Sequence, residues 1–202
     1  VVRVLTTEIG KIIKSNSHID YVSQVYGPGE TAHAPTPEQH ALGTWVEMPA
    51  GSKQGSAAVG LVYDTQLYNP GYGTFGPRLS SQAQLEVFSP DYLNETAVLL
   101  GVLVVGQMMG ERRVASGYCP VAAPIGAEVS RMAPERVRAF HENGSQLDLG
   151  YYSLLLSIPD PIMPPLLLGV LDGLEDLMPE QERTISALRT SLSWRTRVEL
   201  AR

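Results

Sequence analysis

The sequence predicts an α+β protein: a small closed β-barrel followed by a C-terminal helical segment. Three observations carry this. Short apolar stretches recur through the first two-thirds, separated by Gly, Pro and polar turns, with no long helical pattern between them. At Pro134 the apolar period changes from two to that of a helix. The chain of 202 residues is 44% hydrophobic and 18% charged, which is enough to bury a core and unlike a disordered composition.

The elements follow in order. "EIGKIIKS" is β-branched around Ile9, Ile12 and Ile13 and reads as a first strand. Asn16 and Ser17 offer a turn. "HIDYVSQVY" then alternates, with Ile19, Tyr21, Ser23 and Val25 on one face and Asp20, Val22, Gln24 and Tyr26 on the other. "GPGETAHAPTPEQHALG" is a polar, proline-rich exposed loop. "GTWVEMPA" is a third strand and "GSKQGS" a turn. "AAVGLVYDTQLY" is a long fourth strand, with Val59, Leu61, Tyr63, Thr65 and Leu67 at period two. After a long connection, "AVLLGVLVVGQM" is apolar on both faces and should be the most buried strand. A last short strand falls within "PVAAPIGAEVSRM". Closing such strands into a barrel removes edges that would otherwise pair with other chains.

Beyond Pro134, "PERVRAFHEN" spaces Val137, Phe140 and His141 as a helix does, with proline in its first turn and Gly144 just past its end. "SQLDLGYYSLLLS" is ambiguous, because Leu147, Leu149 and Tyr151 alternate before the pattern turns continuous. "PPLLLGVLDGLEDLM" is a helix with Leu167, Val170, Leu171, Leu174 and Leu177 on its apolar face. The last segment is a helix with Ile185, Leu188 and Leu192 inward and Arg183, Arg189, Arg195 and Arg197 largely outward, so the pair forms a helical hairpin. The division is a barrel over residues 1–133 and a mainly helical region over 134–202.

Composition narrows the function. The formal net charge is -6, whereas a free-standing nucleic-acid binder draws most of its affinity from a basic excess. Cys119 is the single cysteine, so no disulfide forms within the chain, and a reducing cytoplasm is expected. The run from Ala97 is about half of what a helix needs to span a bilayer, and no membrane association is expected. The chain opens on Val1 rather than methionine, which leaves room for an upstream piece.

Gly71, Gly73 and Gly76 spell G-x-G-x-x-G, the spacing of a dinucleotide loop. That loop needs a buried strand before it and a helix starting on it, so that the helix N-terminus faces the phosphates. Here an alternating strand precedes, Asn69-Pro70 interrupts, Pro77 follows, and "RLSSQAQLEVFSP" has no amphipathic stripe. The glycines read as a turn-rich loop. No P-loop and no G-x-S-x-G elbow occurs. His18, His33 and His40 have no cysteine pair or H-E-x-x-H helix beside them, so no metal is expected. His141 reads as partly buried or solvated, and Cys119 as a buried inert thiol. No catalytic, cofactor or metal residue is assigned, and the chain is expected not to be an enzyme.

Several segments together resemble the HAS-barrel family: "IGKIIKSNSHIDYVSQVYG", "GLVYDTQLYNPGYGTFGPRLS", "LEVFSPDYL" and "PVAAPIGAEVSRM", over about Glu8 to Met132. The resemblance is closest to stand-alone HAS-barrel proteins, in which a short helical tail follows the barrel. Asn69, Pro70, Gly76, Pro77, Arg78, Leu79 and Ser80 match one recurring segment, and Val87 to Leu93 match another. In HerA-type hexameric DNA translocases this barrel precedes the motor core and helps dock the nuclease NurA. The resemblance therefore implies an accessory subunit that supplies a barrel to a HerA-like hexamer, in a ring, and couples it to a NurA-like nuclease in DNA end processing or phage defence. DNA would be met only through the complex. The chain has no motor core, so ATPase activity is not implied. The partner-facing residues expected are Tyr68, Tyr72, Phe75 and Arg78 around the glycine loop, and Arg189, Trp194 and Arg197 on the last helix, since aromatics and Arg are favoured in interface cores. The alternative is a single-stranded nucleic-acid binder that stacks bases on the same loop aromatics.

Overall fold

The computed structural model describes residues 7–69 and 96–200, with side chains as far as Trp194. Seven strands come first: β1 (Thr7–Ser15), β2 (Asp20–Val25), β3 (Trp45–Pro49), β4 (Ser56–Tyr68), β5 (Ala97–Met109), β6 (Arg112–Ser116) and β7 (Glu128–Arg131). Among the described residues, six of these pair antiparallel in the circuit β1–β7–β3–β4–β5–β2. Pairing of β2 with β5, from Asp20↔Leu103 to Gln24↔Leu99, closes it. The fold is thus a closed β-barrel with a helical C-terminal segment, as the alternating patterns require.

Period two decides which side chains fill the barrel. Ile9, Ile12, Tyr21, Val25, Val46, Met48, Ala58, Val62, Leu100, Val102, Val104 and Val129 form one buried interior cluster. Gly60 belongs to the same layer, and a Cβ there would lie 2.5 Å from Val102 Cγ1. The intervening residues of β4 and β5 face outward. Val59, Leu61, Leu103, Val105 and Met108 form a second cluster with the helices. This two-sided burial is why β5 lacks a polar face.

The helical layer is α1 (Pro134–His141), α2 (Tyr152–Ser157), α3 (Met163–Leu177) and α4 (Glu182–Leu200). Pro134 sits in the first turn of α1, where its missing N–H costs nothing. Met163, Leu166, Leu167, Val170, Leu171 and Leu174 are the buried stripe of α3, and Ile185 and Leu192 that of α4. The outer cluster runs from strand residues through Met132 and Val137 into all four helices, so it crosses residue 133 without a gap.

Two features depart from the sequence reading. β6 pairs with β5 through Gly106↔Ser116 and Met109↔Arg112 and was not foreseen. Gly144 does not end a helix: α1 stops at His141, and Gly144, with φ 63°, turns a small hairpin of β8 (Glu142–Asn143) and β9 (Gln146–Leu147). The short strand expected within "PVAAPIGAEVSRM" is present, at Glu128–Arg131. The residues before it form a loop, 117–127, across the barrel end that carries the β1–β2, β3–β4 and β5–β6 turns. Cys119, Ala123 and Ala127 of this loop drop into the interior cluster.

Candidate functional site

The expected partner-facing residues separate into groups. Tyr72, Phe75 and Arg78 lie outside the described residues, as does the glycine motif. Tyr68 ends β4, opposite Ala97, and is exposed. Trp194 is exposed on α4. Arg189 is engaged within the chain: Nη2 donates to Asp172 Oδ1 at 2.7 Å and to Glu175 Oε2 at 2.5 Å, clasping α4 to α3. Arg197 lies on α4, and its side chain is outside the description.

The histidine expected to be partly buried or solvated is fully buried. His141 ends α1 among Trp45, Phe140 and Tyr151, with ring centroids 4.8–5.7 Å away. Its Nδ1 lies 2.7 Å from the Val137 carbonyl, which can only accept, so Nδ1 carries the proton. Nε2 is then the acceptor and the Tyr151 hydroxyl donates to it at 2.9 Å. Burial, with the Arg113 charge nearby, pushes the imidazole down to about 4, and burial pushes Tyr151 well above the ordinary phenol range. Both polar groups are satisfied inside an aromatic box with no exposed surface. The pair fixes α1 and α2 to the barrel. Gly106 makes room for the neighbouring Phe140 ring, since a Cβ there would lie 2.5 Å from Phe140 Cζ.

Among the described residues, two concavities flank α1. One, of about 510 Å³, lies between Leu42, Trp45 and Met132 on the barrel side and Gly169, Val170 and Gly173 of α3. The other, of about 820 Å³, lies between the β3–β4 and β5–β6 turns and the start of α1. Arg136 crosses the second. It is bonded to Glu47, to Glu111 at 3.2 Å and to the Gly110 carbonyl at 3.0 Å, so its charge is neutralised within the chain. Lys53, Glu128 and Glu135 line the same cleft and form no ion pair among the described residues. Among these residues no cluster of His, Cys, Asp and Glu has the form of a metal site. Burial raises the Cys119 thiol, whose Sγ donates to the Val121 carbonyl at 3.1 Å. A thiol held protonated is a poor nucleophile.

The end-closing loop is the feature that sequence reasoning missed. Gly117 N–H bonds the Val105 carbonyl, Gly126 N–H the Ile12 carbonyl, and Ile12 N–H the Ala127 carbonyl, at 2.7–2.9 Å. His18 Nε2 donates to the Cys119 carbonyl at 2.8 Å. A loop held this way presents outward whatever its short inward side chains leave over. The available signal was the absence of charge from Gly117 to Ala127.

A barrel filled by its own side chains, capped by a pinned loop and backed by helices, defines a class: a closed β-barrel with a helical C-terminal layer. The chain belongs to the family described as Domain of unknown function (DUF8166), whose model matches residues 3–201. The matched unit therefore includes the helices as well as the barrel. A comparison with curated proteins finds no match. No described helix is long and apolar enough to cross a membrane.

Proposed function

We propose that this chain is a non-enzymatic assembly subunit. It supplies a HAS-type barrel to a HerA-like hexameric DNA translocase and helps couple that motor to a NurA-like nuclease, in DNA end processing or phage defence. The observation that supports this reading is the filled barrel. Twelve strand side chains, three from the end-closing loop and Ala50 of the β3–β4 turn occupy its interior as one cluster, which leaves recognition to the outer surface. The sequence resemblance to HAS barrels supplies the identity of the partners.

The test is size-exclusion chromatography with light scattering on the chain mixed with the HerA-type ATPase of the same genome, with and without nucleotide and DNA. A stoichiometric complex at micromolar concentration is expected, and its absence under all conditions overturns the reading. The isolated chain is expected to bind single-stranded DNA weakly. Tight binding that falls steeply with salt would identify a nucleic-acid binder instead.

A further inference from the structure

We infer that the end-closing loop, through Tyr118, Val121 and Ile125, is the surface by which this barrel docks on its protein partner; the inference rests on the assembly reading above. Large apolar side chains facing water are scattered over most proteins and mean little singly. Here three fall within eight residues of one loop, exposed by 59%, 44% and 80%. Ile125 is the tip of the turn Pro124–Ala127, closed by Ala127 N–H to the Pro124 carbonyl at 3.1 Å. Gly126 takes φ 79°, which the third position of a type II turn requires. Turn tips favour Gly, Asn, Asp, Pro and Ser. A β-branched hydrocarbon at such a tip gains nothing within the chain.

The loop is also rigid before any partner arrives. Cys119, Ala123 and Ala127 anchor it inside the barrel, and five hydrogen bonds tie its backbone to β1, β5, His18 and itself. Val121 lies over Gly51, where a Cβ would meet Val121 Cγ1 at 3.5 Å. Pre-organisation of this kind removes the ordering cost that a flexible loop meets on binding.

The chemistry of the occupant follows from the loop. Residues 117–127, G-Y-C-P-V-A-A-P-I-G-A, contain no charge. The partner surface is therefore an apolar pocket, not a phosphate or an acidic or basic strip. An anionic lipid surface is disfavoured, because such surfaces are recognised through Lys and Arg that the loop lacks. The three side chains expose on the order of 300 Å², well short of the roughly 800 Å² per partner that a stable pair needs. A symmetric dimer of this chain through the loop alone falls short. The patch suits one of several equivalent contacts on a multi-subunit ring, where repetition supplies avidity.

The experiment compares wild type, Ile125→Asp and the double variant Tyr68→Ala/Trp194→Ala for binding to the HerA-type ATPase by light scattering and calorimetry. Melting points check folding. Wild-type binding that falls at least about tenfold in Ile125→Asp, with an unchanged melting point, is expected. Equal binding by wild type and Ile125→Asp overturns the inference while the assembly reading stands, and loss confined to the double variant does the same. Failure of wild type to bind sinks the assembly reading and the inference with it. Two further arms test other occupants. Co-sedimentation with phosphatidylglycerol vesicles that Ile125→Asp abolishes assigns the loop to a membrane and overturns the inference. So does a concentration-dependent dimer of the chain alone that Ile125→Asp abolishes.

Discussion

His141 makes the stability of the fold depend on acid. The folded state holds its imidazole at about 4 through burial, against 6.5 in the free side chain. Between these values the unfolded chain takes up a proton that the folded chain refuses. Stability is therefore complete above pH 6.5 and declines as pH falls toward 4, by a limiting amount of about 3 kcal/mol. Thermal melts from pH 4 to 7 are expected to show this slope, and His141→Leu to flatten it. That variant also leaves the Tyr151 hydroxyl without its acceptor, so it is expected to be less stable at pH 7, by about 1–3 kcal/mol. Gly106 is the complementary case. Its Cβ would collide with the Phe140 ring at 2.5 Å, so Gly106→Ala is expected to cost about 1–3 kcal/mol in urea unfolding.

At the scale of elements, α3 carries two glycines, Gly169 and Gly173, where an added Cβ would meet nothing within 4 Å. Each weakens the helix relative to alanine by about 0.8–1 kcal/mol. Gly169→Ala and Gly173→Ala should each raise stability by that amount, the reverse of Gly106→Ala, and denaturant midpoints will show the sign. Legibility also varied by element. β2, β4 and β5 were readable because apolar residues alternate or run unbroken through them. β6 was not, because Arg112 and Arg113 break its pattern, and the partners of Arg113, Asp148 at 2.9 Å and the Phe140 carbonyl at 3.4 Å, lie far along the chain. The pairing of Arg189 within the chain was hidden for a similar reason, since its partners Asp172 and Glu175 lie on the neighbouring helix. Tyr68 and Trp194, expected to face a partner, are exposed. The end-closing loop was illegible because Val121 and Ile125 look like strand residues until the barrel beneath them is seen to be full.

At the scale of the whole molecule, the outer apolar cluster joins barrel and helices. Removing the helices would bare Val59, Leu61, Leu103, Val105 and Met108 together. A chain ending at residue 133 is expected to aggregate or remain unfolded, and the full chain to melt in one transition by both near- and far-ultraviolet circular dichroism. Two separate transitions would show that the barrel stands without its helical backing.

The long hairpin of β4 and β5 has a consequence for what it carries. Its last pair, Tyr68↔Ala97, holds two points of the backbone side by side at the barrel rim. Any stretch strung between them is already gathered at both ends, so doubling its length adds only about 0.6 kcal/mol of closure entropy. The rim is a socket into which segments of very different size can be plugged while the staves below keep their positions.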